Sequence, residues 1–100
     1  MKPSEYFARN CGIGASCVPR SDIDLRDQIG TEKIMWGSDF PHPEGTWPNT
    51  RQYYEDTFSG IPEEDGRKIL GENAVRFYGL DRERLQAVAD EIGPETSIFN

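Results

Sequence analysis

Apolar and polar positions along this 100-residue chain follow two periods, and the switch between them orders the elements. From Cys11 to Cys17 the period is two: Cys11, Ile13, Ala15 and Cys17 face one way, and Gly12, Gly14 and Ser16 the other. That alternation predicts a strand whose small residues allow close packing on the second face. Pro19 ends it. Ser21 is placed to cap a helix through about Ile29, with Asp22 and Asp24 in the first turn, where the helix macrodipole favours anions. Gly30 follows where a left-handed residue commonly stands. Lys33-Ile34-Met35-Trp36-Gly37 is continuous rather than alternating, which suits a parallel strand covered on both faces.

Outside these two strands the period is helical or absent. A short helical turn is expected over residues 3–9, with Ser4 as its N-cap. Ser38 to Pro48 holds Pro41, Pro43, Pro48 and Gly45, the composition of a stiff, irregular loop. Asn49 with Gln52 forms a capping-box pattern for a helix to about Phe58. Pro62, followed by Glu63, Glu64 and Asp65, opens a helix to about Leu70, and Asn73 is placed to cap a short helix ending at Tyr78-Gly79. Asp81 caps the clearest helix, in which Leu85, Val88, Ala89 and Ile92 follow i, i+3, i+4, i+7 until Gly93-Pro94 stops it. Residues 94–100 are expected to form a flexible tail. The order is strand, helix, strand, long loop, then helices only. This is a single βαβ unit, which leaves both strands with an open edge.

Composition narrows the classes. Eighteen acidic against eleven basic residues give a net charge of −7, so neither nucleic acid nor an anionic membrane is expected as a partner. A whole (β/α)₈ barrel needs roughly 200 residues or more and does not fit in this length. No apolar run follows Met1-Lys2-Pro3-Ser4-Glu5, and the longest apolar stretch, Ile34-Met35-Trp36, is far short of a membrane span. A cytoplasmic protein is expected. Cys11 and Cys17 would stand roughly 20 Å apart on an extended strand, too far for a disulfide. With five residues between them they also lack zinc-site spacing, and both read as small buried hydrophobes.

Asp39 is the first candidate for chemistry. It stands two residues past the second strand, at the carboxyl end, where parallel α/β folds place their ligands. A carboxylate there can bind a metal or accept a proton from activated water; the plainer role is to cap the following turn. His42, the only histidine, could serve as a metal ligand or substrate donor, or as a hydrogen-bonded loop residue. Trp47 could line a pocket mouth or pack over the loop. Ser38, Asp39 and His42 do not make a hydrolase triad, because residues so close on one strand end cannot converge and no nucleophile-elbow glycines surround Ser38.

Ile34-Met35-Trp36-Gly37-Ser38-Asp39-Phe40-Pro41-His42 resembles the last barrel strand of the amidohydrolase superfamily. The nearest branch is the amidohydrolase-related group containing aminocarboxymuconate-semialdehyde decarboxylase. Pro3-Ser4-Glu5-Tyr6-Phe7 resembles the approach to the seventh strand, and Pro43 to Asn49 the loop after the eighth. Ile61 to Leu70 and Gly71 to Leu80 resemble the closing helices, so the likeness runs over roughly residues 3–92.

The resemblance implies an α/β fold that is the C-terminal slice of a (β/α)₈ barrel over residues 1–93: the last two parallel strands, their crossover helix and the closing helices. It implies metal-dependent hydrolysis or non-oxidative decarboxylation of a small molecule, with a divalent metal, usually zinc. Asp39 would bind that metal and shuttle a proton. Apart from the resemblance, His42 and Trp47 hint at contact with an aromatic or carboxylate-bearing substrate. The family's His-x-His pair and its other histidine ligands have no counterpart here, so the chain alone is expected to bind metal weakly and to turn over nothing. Two alternatives stand beside this: a non-enzymatic helical interaction module, and a truncated frame without function. Open strand edges leave room for an oligomer or for a complementing barrel portion.

Overall fold

Two parallel strands lie at the centre of the computed structural model, which describes residues 1–100: β1 (Ile13–Ser16) and β2 (Ile34–Gly37). Ile13 pairs with Ile34, Gly14 with Met35, Ala15 with Trp36 and Ser16 with Gly37. The alternation read in β1 has its structural counterpart, with Ile13 and Ala15 half-buried and Gly14 and Ser16 exposed. In β2, Ile34 and Met35 are buried, while Trp36 and Gly37 are half-buried. The result is a small α/β fold of two parallel strands and several helices.

Helix boundaries depart from expectation at several of the caps. In α1 (Pro3–Asn10) the cap is Lys2, whose backbone N–H donates to Glu5, so Ser4 lies inside the helix. Cys11 is the C-cap of α1 and is exposed, and Cys17 is half-buried. Neither is the buried hydrophobe expected, because β1 starts two residues after Cys11 and ends one before Cys17. The crossover comprises two short helices, α2 (Arg20–Asp24) and α3 (Arg26–Ile29), with Pro19 rather than Ser21 at the N-cap. Arg26 fastens the break between them. Its guanidinium donates to the Ile23 carbonyl at 3.1 Å and to Asp65 at 2.9 Å. Gly30 then turns the chain at φ +107, as its placement predicts.

After the long loop, α4 (Thr50–Phe58) begins at the expected residue, but the Asn49 side chain makes no capping bond and Gln52 donates to Asp56 instead. The two helices expected between Pro62 and Gly79 are one continuous rod: α5 (Glu63–Arg67), a π turn (Lys68–Glu72) and α6 (Asn73–Tyr78). Asn73 does not cap. It has helical backbone, is fully buried, and its amide donates to the Thr31 and Ile34 carbonyls at 2.8 and 2.9 Å. In α7 (Arg82–Ile92), Asp81 accepts from the Arg84 N–H at 3.2 Å, the cap expected.

Residues 94–100 differ from the flexible tail expected. Thr96–Phe99 form a 3₁₀ turn with Ile98 buried, and the Phe99 carbonyl accepts from the Gly60 N–H at 2.8 Å. The Phe99 ring meets Phe58 edge-on at 6.3 Å. Gly66 makes room for this, since a Cβ there would lie 2.0 Å from the Phe99 ring.

Val18, Ile23, Ile34, Phe58, Ile61 and Ile69 form one core between the sheet, α2, α4 and the rod. Twelve of 100 residues are buried, and none belongs to α7. A core this small leaves little margin, because each buried aliphatic or aromatic side chain contributes only about 1.5–3 kcal/mol before chain entropy is met. No helix is long and apolar enough to cross a membrane.

Candidate active site at the carboxyl ends of the strands

The two non-glycine residues with positive φ stand at the same end of the sheet. Cys17 follows β1 directly at φ 52, and Asp39 lies two residues beyond β2 at φ 59. The left-handed region suits a short polar side chain such as Asp far better than most others. The Cys17 N–H donates to the Gly37 carbonyl at 3.1 Å, which carries the ladder one step past the strands. Its thiol donates to the Glu44 carbonyl at 3.4 Å, tying the end of β1 to the loop after β2.

That loop is built from tight backbone turns. The His42 N–H donates to the Asp39 carbonyl and the Gly45 N–H to the His42 carbonyl, both at 2.8 Å. The neck is closed by the Thr46 N–H donating to the Ser38 carbonyl at 2.9 Å. Glycine is required at position 45, where a Cβ would stand 2.7 Å from the Ser38 oxygen, 2.9 Å from that of Asp39 and 3.0 Å from that of His42. Thr46 is buried beneath the loop, with its hydroxyl 3.0 Å from that of Thr50. A loop so folded holds Asp39 chiefly by backbone bonds.

Asp39 and His42 are brought together. Oδ2 of Asp39 lies 3.5 Å from Nδ1 of His42, and both side chains are about half exposed. Nδ1 also accepts from the Glu44 N–H at 3.3 Å, so it can serve only one of these partners at a time. Trp47 stands out in solvent, edge-on to Phe40 at 5.6 Å. Sequence reasoning missed Cys17, Gly45 and Thr46. The proline-rich composition of the loop pointed to its stiffness, but not to the backbone contacts that make these three residues necessary.

No group of three or more His, Cys, Asp or Glu side chains is placed to hold a metal ion. A catalytic zinc takes about three protein ligands plus an open position. The donors present, one carboxylate and a histidine whose Nδ1 accepts a backbone N–H, do not fit that requirement by themselves.

A family model described as amidohydrolase matches residues 15–80, from β1 through α6 to the turn that follows. The chain belongs to the amidohydrolase family. Asp39, His42 and Trp47 all lie inside the matched span, which is narrower than the 3–92 over which the resemblance is read and leaves out α1 and α7. Membership places the chain in a superfamily of typically metal-dependent hydrolases and decarboxylases. No curated protein and no solved structure matches it.

Proposed function

We propose that this amidohydrolase chain supplies the last two strands and closing helices of a (β/α)₈ barrel that carries out hydrolysis or non-oxidative decarboxylation of a small molecule. Within the family we assign it to the branch that contains aminocarboxymuconate-semialdehyde decarboxylase. One observation carries the reading: inside the family match, Asp39 projects from the carboxyl end of a parallel strand on a left-handed backbone locked by the Ser38–Thr46 and Asp39–His42 bonds. Asp39 is the carboxylate this chain brings to a divalent metal, and the remaining donors come from strands outside it. His42 and Trp47, on the same loop, face the substrate as a hydrogen-bond donor and an aromatic wall.

The unpaired edge that each strand keeps in this two-stranded sheet is where those other strands would pair. Cys11 and Cys17 are free thiols, in keeping with a reducing cytoplasm. The DNA immediately upstream of Met1 tests the reading. An in-frame segment that encodes His-x-His after a strand pattern is expected. A stop codon there, with no separately encoded partner carrying that pair, would contradict it.

A further inference from the structure

Two helix faces line one open groove. Helix α7 lies beyond the family match and buries none of its residues. Its stripe of Leu85, Val88 and Ile92 lines the same cleft as Leu70 and Val75 of the rod and Phe99 of the C-terminal turn. The three stripe residues are 43%, 51% and 75% exposed, so the groove is open to solvent along α7. An uncovered apolar face of this kind is usually matched to a partner.

Size narrows the occupant. The cleft holds about 980 Å³. Over the roughly 15 Å that α7 presents to it, that volume gives a section of roughly 65 Å², or about 9 Å across. An α-helix with its side chains is about 10 Å across, and packed helices stand roughly 8–10 Å apart. Gly71 and Ala89 lie on opposite walls, and nothing stands within 4 Å of a Cβ built at Gly71, so a third backbone has room to approach. A small ligand fits less well. Its pockets enclose about 70–90% of its surface, and this groove would leave one side in water.

Charge narrows it further. Both arginines at the groove are committed, Arg67 to Glu63 at 2.8 Å and Arg82 to Glu72. Asp90 and Glu95 also line it, are exposed, and pair with no cation. They flank the C-terminal end of α7, whose last turn holds no basic residue, so the negative end of the macrodipole adds to them. The groove is thus apolar along its walls and negative at one end.

We propose that this groove docks an amphipathic helix of another protein, about three turns long and basic at one end. Its apolar stripe lies between α7 and the rod, and its Lys or Arg side chains stand beside Asp90 and Glu95. The inference stands apart from the catalytic reading.

Binding of a synthetic helix of about fourteen residues to the 100-residue chain tests it, followed by fluorescence anisotropy. The probe carries Leu at i, i+3, i+4 and i+7 and Lys at one end; a second probe carries Glu in place of Lys. The Lys probe should bind one to one and at least tenfold more tightly than the Glu probe. Leu85→Gln/Val88→Gln should abolish that binding, with helix content by circular dichroism unchanged. Asp90→Asn/Glu95→Gln should weaken it about tenfold, whereas Asp27→Asn/Glu32→Gln, the same loss of charge away from the groove, should leave it intact. Equal weakening by the two neutralised pairs would reduce the effect to net charge and overturn the proposal. So would equal binding of the two probes. Binding of dodecylammonium with neither probe bound would give the groove to a small amphiphile instead. Self-association of the unmixed chain that Leu85→Gln/Val88→Gln dissolves would give it to a second copy, and either result overturns the proposal.

Discussion

The side-chain amide of Asn73 donates to the carbonyl of Ile34 at 2.9 Å, tying the rod of α5 and α6 to the first residue of the strand that delivers Asp39. The same amide reaches the Thr31 carbonyl at 2.8 Å, and its own oxygen is buried without a partner. These two acceptors fix the orientation of the amide, since a flipped one would set oxygen against oxygen. Through Asn73 the helices hold the start of β2, and through β2 they hold the loop that carries Asp39.

Replacing Asn73 should therefore cost more than its volume suggests. Asn73→Ala removes the hydrogen bonds to the half-buried Thr31 carbonyl and the buried Ile34 carbonyl and is expected to destabilise the fold by about 2–3 kcal/mol. Asn73→Leu, which fills the space but donates nothing, should cost a comparable amount. Urea unfolding followed by circular dichroism measures both. A leucine variant as stable as the parent would show that packing, not the hydrogen bonds, is what Asn73 supplies.

Two glycines separate close approach from simple flexibility. Gly45→Ala places a methyl against three backbone oxygens that cannot move aside without opening the loop, and a loss of about 1–3 kcal/mol is expected. Gly71→Ala, in the π turn with nothing within 4 Å of the added atom, should be neutral or stabilising by up to about 1 kcal/mol. Thermal unfolding of the two variants side by side gives the comparison. Equal effects would contradict the loop geometry.

Burial raises the Tyr54 phenol above its usual value of 10.0, where it packs 4.8 Å from Trp36. A phenol that holds its proton more tightly when folded favours the folded state only while it stays protonated. Its contribution is complete below about pH 10 and is lost as the pH rises through the folded value, because the unfolded chain releases that proton first. Stability measured from pH 8.5 to 11 should fall more steeply in the parent than in Tyr54→Phe, which has no proton to release there. Parallel slopes would place the loss elsewhere.

The sequence showed most of the architecture and rather less of the wiring. Period two between Cys11 and Cys17, the continuous run Lys33–Gly37 and the signals at Gly30, Gly79 and Asp81 are local, and local chemistry decides them. Asn73 had the chemistry of a cap but is spent on a strand about forty residues away, a pairing no local rule contains. The C-terminal residues looked frayed because their partner is absent from their own neighbourhood. Gly66, some thirty residues earlier, makes the slot that Phe99 fills. At the site, the position of Asp39 past a buried strand was legible. The turns that fold the loop on Gly45 were not, because they depend on backbone atoms common to every residue.

The most direct test is turnover by this chain together with the upstream segment that the proposed function expects, with Asp39→Asn compared against the parent on a panel of aromatic carboxylates. Asparagine tolerates the left-handed backbone, so fold and helix content should not change. The account predicts that kcat falls by about a hundredfold or more and that bound divalent metal is reduced. A variant that keeps the parent rate and full metal content would contradict it.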